Sequence, residues 1–213
     1  MGNIIDEERF NEAGTILGQR GTGKTVYMLG SELSSNPKDK ALKKRGVVDV
    51  YLQRGIKVLI ADTLDHPSYR NIPILKQKDF YKFNHGIARV IFDPENMNGF
   101  VDLINRSAHM NNSFIAFEDA KKWTDVRVSK PLRRLMIDTK QRNIDTILMY
   151  HSFIDTPSDL FTLTDFTYML KTEDSPEIRM NRMRLASKVL EAYEIVKKHP
   201  SNFYGKYIHT RTD

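Results

Sequence analysis

The chain has 213 residues, enough for one sizeable core and too few for two large domains, so a single domain over residues 1–213 is expected. It contains no cysteine, which excludes a disulfide framework and any thiolate metal site. Its 33 Lys and Arg against 27 Asp and Glu leave a formal charge of +6, compatible with a polyanionic partner and equally with solvated basic faces.

The opening stretch MGNIIDEERFNEAG is acidic and polar and lacks the basic and apolar regions of a signal peptide. No apolar run reaches the length of a membrane span, so a soluble protein is expected. Gly14 to Leu17 reads as a first buried strand and runs directly into GQRGTGKT, Gly18 to Thr25, with a helix expected from Lys24 to Ser34. The octet satisfies G-x-x-x-x-G-K-[ST] at Gly18, Gly23, Lys24 and Thr25, and the strand before it and helix after it are the context that pattern requires. Glycines let backbone N–H groups turn inward around phosphate oxygens, Lys24 reaches the β- and γ-phosphates, and the Thr25 hydroxyl ligates Mg²⁺. Gln19, Gly21 and Thr22 complete the loop, and Arg20 adds charge at its tip.

Ser35 to Gly55 is irregular, a loop followed by a helix or helical hairpin, and reads as an insertion at about 35–55. Further strands are expected at Lys57 to Ala61, Arg89 to Phe92, Ser113 to Phe117, Thr146 to Tyr150 and Phe166 to Leu170. Several are continuously apolar, as strands covered on both faces are. Helices are expected at about Asn96 to Met110, at Pro131 to Thr139 behind a Ser129 start signal, and at Ser187 to Lys198. Asp93-Pro94 and Thr156-Pro157 read as turns at strand ends. This alternation predicts an α/β fold, a mostly parallel central sheet flanked by helices on both faces. Beyond residue 175 a C-terminal extension is expected, with KTEDSPEIRMNRMRL as a surface excursion and FYGKYIHTRTD as a last strand with a basic tail.

The stretch NSFIAFEDAKKW places two carboxylates, Glu118 and Asp119, after the apolar run Phe114 to Phe117, at the edge where ligands of such sheets bind. Position assigns Glu118 to the Mg²⁺ shell and Asp119 to polarising the attacking water. The usual order is Asp then Glu, so the inversion leaves the division of labour open. The next strand, TILMYHSF, ends in His151, a polar residue able to contact the γ-phosphate or the water.

Together GQRGTGKT, FIAFEDA, TKQRNIDTILMYHSF and DTPSDLFTLTDFTYMLKTED resemble the P-loop ATPases of the FtsK/HerA superfamily, over roughly Ala13 to Asp174. The resemblance is strongest to the compact viral DNA-packaging ATPases and the related Zot-like phage proteins. It implies a RecA-like fold, ATP and Mg²⁺, Walker A on Gly18 to Thr25, Walker B on Glu118 and Asp119, and a sensor at His151. It implies further a basic residue reaching a neighbouring subunit's nucleotide. Arg142 is the first choice, because its planar, always-charged fork can clamp phosphate oxygens, with Lys140, Arg133 and Arg134 as alternatives. A homo-oligomeric ring, pentamer or hexamer, would act on double-stranded DNA without regard to sequence, against a capsid vertex or portal protein, in host cytoplasm or the virion. Lys121, Lys122, Trp123 and Arg127 are candidates for a DNA-contacting loop, with the alternative that Trp123 anchors that loop to the core. The competing readings are a Zot-like assembly or export ATPase, a small P-loop kinase, and a nucleotide-gated scaffold without turnover. A kinase has no evident use for the Glu118–Asp119 strand end, and a scaffold none for an intact Lys24, Thr25 and acid pair.

Overall fold

A computed structural model of the chain describes residues 11–63, 65–91, 97–124 and 126–210. The first ten residues, Phe92, the Asp93-Pro94 turn and the last three residues of the basic tail lie outside the described residues. Strand β1 (Ala13–Leu17) leads through the glycine-rich octet into α1 (Lys24–Leu29), followed by α2 (Pro37–Lys40) and α3 (Val47–Gln53). Then come β2 (Lys57–Asp62), β3 (Ile87–Ile91), α4 (Met97–Arg106), β4 (Ser113–Phe117), α5 (Lys130–Ile137) and the single turn α6 (Thr139–Arg142). The chain continues with β5 (Ile144–Tyr150), α7 (Leu160–Leu163), β6 (Phe166–Met169), α8 (Ala186–Lys198) and β7 (Lys206–His209).

The seven strands form one sheet in the order β3-β2-β4-β5-β1-β6-β7, parallel except for β7, which runs antiparallel to β6. Side chains alternate between faces along each strand, and both faces are buried. Leu59, Ile115, Phe117 and Leu148 pack on one side with residues of α4, α5 and α8; Val58, Ile60, Phe114 and Met149 pack on the other with α1 and α3. The mostly parallel, doubly covered sheet expected from the alternation is therefore present. The register that matters most is that of β5, hydrogen-bonded to β1 on one side and β4 on the other. Whatever leaves β5 at its carboxyl end stands between the glycine-rich loop and the paired acids.

The departures from expectation have local causes. Helix α1 stops at Leu29 instead of Ser34 because Gly30 takes φ +87° where two backbones cross, and a Cβ there would stand 2.1 Å from the Asp49 carboxylate and 2.9 Å from the Gly46 nitrogen. Asp49 in turn accepts from the Gly46 N–H at 2.8 Å and starts α3, the helix of the insertion. Strand β5 begins two residues before Thr146 because Asp145, a polar residue inside an apolar run, is buried and accepts from the Glu12 N–H at 2.8 Å. The helix expected to Met110 divides into α4 and a 3₁₀ turn at Ala108–Met110. The C-terminal excursion is a 3₁₀ segment, Pro176–Arg182, and the final strand is β7. Among the described residues no helix is long and apolar enough to cross a membrane.

Candidate active site

The loop after β1 is pinned at its entry, where the Gly18 N–H donates to the Tyr150 carbonyl at 3.2 Å and the Gln19 N–H to the Lys171 carbonyl at 2.8 Å. Gly21 and Gly23 sit at φ +77° and +91°, a region that strains any side chain, so the turn requires glycine at both. The buried Thr22 hydroxyl closes the loop from within by donating to the Gln19 carbonyl at 2.8 Å, and Arg20 is exposed at the tip. Lys24 turns its ammonium into the loop, donating to the Gly18 carbonyl, to the Gln19 carbonyl at 3.1 Å and to His151 Nδ1 at 3.0 Å. Burial pulls its pKa down to about 8, against the attraction of Glu118 and Asp119.

Glu118, at the end of β4, is folded back into the protein and accepts a hydrogen bond on Oε2 from the Tyr69 hydroxyl. The Thr25 side chain also bears on that hydroxyl, drawing its pKa down against the burial that raises it. Tyr69 is wholly buried in the turn Pro67–Tyr69 beyond β2, so the loop threonine and the strand-end glutamate meet at a third residue. Burial pushes the Glu118 carboxyl up, while the Tyr69 hydrogen bond and the His66 and Lys24 charges pull it down. Asp62, buried at the tip of β2, accepts from the His66 N–H at 3.1 Å and holds Arg89 Nη1 at 2.9 Å; Arg89 also reaches Asp65 at 2.5 Å. Among the described residues no group of three or more His, Asp or Glu could hold a metal alone. The Thr25 hydroxyl and Glu118 carboxylate are hard oxygen donors, and a cation beside them would complete its shell with phosphate and water, the coordination that suits Mg²⁺.

Asp119 follows in the left-handed region at φ +45°, and its Oδ1 lies 3.9 Å from His151 Nε2 and its Oδ2 3.7 Å from Lys122 Nζ. His151 leaves the end of β5 and stands between the lysine and the acid. A lysine ammonium has no acceptor, so Nδ1 is the accepting nitrogen and Nε2 carries the hydrogen toward Asp119. Burial and the nearby Lys24 charge hold His151 below the usual histidine range, which keeps the ring neutral at pH 7.

Neither a protein-family model nor a curated protein matches the sequence. Solved structures match by fold. The DNA-packaging ATPase B204 from Sulfolobus Turreted Icosahedral Virus gives a TM-score of 0.66 over 95% of this chain and 94% of that one, at 16% identity. The genome packaging NTPase B204 from Sulfolobus turreted icosahedral virus 2, in complex with ATP-gammaS, gives 0.68 over 94% and 93% at 15% identity. Its AMPPCP complex gives 0.65 over 95% and 98% at 15% identity. The fold is that of a P-loop NTPase.

Within this P-loop fold the expected loop residues, both acids and His151 are brought together at the carboxyl edge of the sheet, and Arg142 is not. Arg142 ends α6 at the amino end of β5, the opposite edge, where Nε donates to Asn111 Oδ1 at 3.0 Å and Nη2 to the Ile104 and Ser107 carbonyls at 2.9 and 2.7 Å. It clamps the last turn of α4 to the approach of β4, and reaching a neighbour's phosphate would break all three bonds. Arg133 pairs with Asp159 at 2.5 Å, whereas Arg134 holds Asp138 only at 3.4 Å and leaves its side chain 69% exposed. The side chain of Lys140 lies outside the described residues. Trp123 is the anchor of its loop: it is buried, donates to the Glu118 carbonyl at 3.2 Å, and packs on Phe117 and Phe100, so it has no face for a base. Lys121 pairs with Asp155, and Arg127 is exposed. Sequence reading missed Tyr69, Asp62 and Arg89. Asp62 carries the strand-end signal that found Glu118, because it follows the apolar run Val58 to Ala61; Tyr69 sits in an aperiodic turn and carries none.

Proposed function

We propose that the chain is an ATPase whose hydrolysis of ATP by water is coupled to moving DNA, a genome-packaging motor working as a ring of identical subunits. The observation that carries the catalytic half is the row Lys24, His151, Asp119, which links the phosphate loop to the strand-end acid through the tip of β5. On nucleotide entry Lys24 leaves the Gly18 and Gln19 carbonyls for the β- and γ-phosphates. Thr25 and Glu118 would hold Mg²⁺, which supplies neutralising charge on those phosphates. Asp119 takes the proton of the attacking water as its oxygen bonds to the γ-phosphorus and the bond to the β-phosphate oxygen breaks. His151 loses its lysine partner on nucleotide entry and so signals occupancy to β5.

The DNA half is supported by the near full-length likeness in fold to packaging NTPases and by the net charge of +6. Within a ring, a cation reaching across a subunit boundary falls better to Arg134 than to Arg142, since Arg134 gives up only one long contact. The test is the steady-state ATPase rate with and without double-stranded DNA, beside Lys24→Ala. Stimulation by DNA supports the motor. A DNA-indifferent rate keeps the nucleotide site and moves the role to an assembly or export ATPase, and unchanged turnover in Lys24→Ala removes the site itself.

A further inference from the structure

We infer that Tyr69 is a positioning residue that fixes the Glu118 carboxylate on the Mg²⁺ side of the site, holding Oε2 and leaving Oε1 for the cation. The inference rests on the nucleotide-site reading above and concerns a residue outside both sequence motifs.

The Tyr69 hydroxyl has one hydrogen, and it goes to Glu118 Oε2. A carboxylate accepts on both of its oxygens, so Oε2 is held by the tyrosine while Oε1 remains unengaged by it and keeps its electron pairs for a cation. A water molecule in place of the tyrosine could rotate and donate to either oxygen; a phenol hydroxyl fixed by its ring cannot.

The ring is held firmly enough for this task. Tyr69 is 0% exposed, its ring lies 5.4 Å from that of His66, and the turn that carries it is capped by His66 Nδ1 accepting from the Ser68 N–H at 3.2 Å. The His66 N–H is in turn anchored on the buried Asp62 at the end of β2. The orientation of the Glu118 carboxylate is thereby set by a neighbouring strand, before any nucleotide arrives.

Tyr69→Phe in the full-length chain removes one oxygen and keeps the ring. Binding of a fluorescent ATP analogue is measured in EDTA and across a Mg²⁺ titration, after a melting curve establishes that the variant is folded. The expected result is unchanged affinity in EDTA and a Mg²⁺ requirement raised about 10–100-fold, the range seen when partners that orient metal ligands are removed. In a Glu118→Gln background Tyr69→Phe should add little, because the two act as a unit. A wild-type Mg²⁺ curve, an equal loss with and without Mg²⁺, or additive losses in the double variant would overturn the assignment. Lys24→Ala, run alongside, separates the two readings: normal analogue binding by that variant removes the nucleotide site, whereas its loss together with a normal Tyr69→Phe curve removes only the role of Tyr69.

Discussion

The Lys24 ammonium donates to His151 Nδ1 across 3.0 Å, so one hydrogen bond joins the glycine-rich loop to the tip of β5. The lysine is held by two carbonyls and an imidazole, none of which carries the negative charge its ammonium favours, so an anionic phosphate entering the loop would outcompete them.

Nucleotide binding should take up a proton above pH 8. In the free protein burial brings Lys24 to about 8 from 10.5, and phosphate oxygens in the loop favour the ammonium and raise it again. Between those values the free protein has lost a proton that the bound protein keeps, so affinity falls as pH rises, by up to about tenfold per unit. Calorimetry at pH 9 in buffers of different ionisation enthalpy reads the uptake directly, and pH-independent affinity would contradict it. The same shift fixes the sign for stability without nucleotide. The unfolded chain binds more protons than the folded one from about pH 8 to 10.5, so the Lys24 contribution to stability rises with pH across that window and its cost is fully present below it.

Asp119→Asn should leave ATP bound and slow its cleavage by about 10²–10⁴-fold, the scale of a positioned general base. Rapid-quench single turnover is the measurement, and a normal rate would assign the water to another group.

Arg142→Ala should lower stability by about 2 kcal/mol, the worth of hydrogen bonds from a charged donor, visible as a fall in melting temperature. Arg134→Ala should melt like the parent, and its lost activity should return on mixing with Lys24→Ala subunits if the arginine acts across a boundary. Recovery with Arg142→Ala instead would reverse the assignment.

Arg127→Ala should weaken DNA binding for all sequences alike and reduce the slope of log affinity against log salt by about one. Fluorescence anisotropy at several salt concentrations checks this, and an unchanged slope would remove Arg127 from the DNA contact.

What the sequence made legible and what it hid follow from how each residue is constrained. The glycine-rich turn between β1 and α1 was readable because its pattern demands fixed residue types at fixed spacing, and the strands because continuous apolar runs such as Phe114 to Phe117 are buried on both faces. The end of α1 was not, since the conformation of Gly30 is imposed by its crossing with Gly46, a contact no local pattern records. Tyr69 was invisible for the same reason: its partner Glu118 comes from a remote part of the chain. Arg142 was chosen as a cation for a neighbouring subunit's nucleotide, and what the motif beside β5 did not record is its place at the amino end of that strand, against α4. Its three contacts with Asn111, Ile104 and Ser107 are what that position produces.

The two backbone bonds that pin the loop, Gly18 to Tyr150 and Gln19 to Lys171, place it under the joint control of the chain segments leaving β5 and β6. Those segments are themselves tied together, because the Ile154 N–H donates to Asp174 Oδ2 at 2.7 Å and Arg179 donates to the Phe153 and Ile154 carbonyls at 3.2 and 2.8 Å. The 3₁₀ excursion Pro176–Arg182 thus ends a short chain of hydrogen bonds that begins at the glycine-rich loop. A displacement of that excursion would bear on the glycine-rich loop through these hydrogen bonds rather than through side-chain packing.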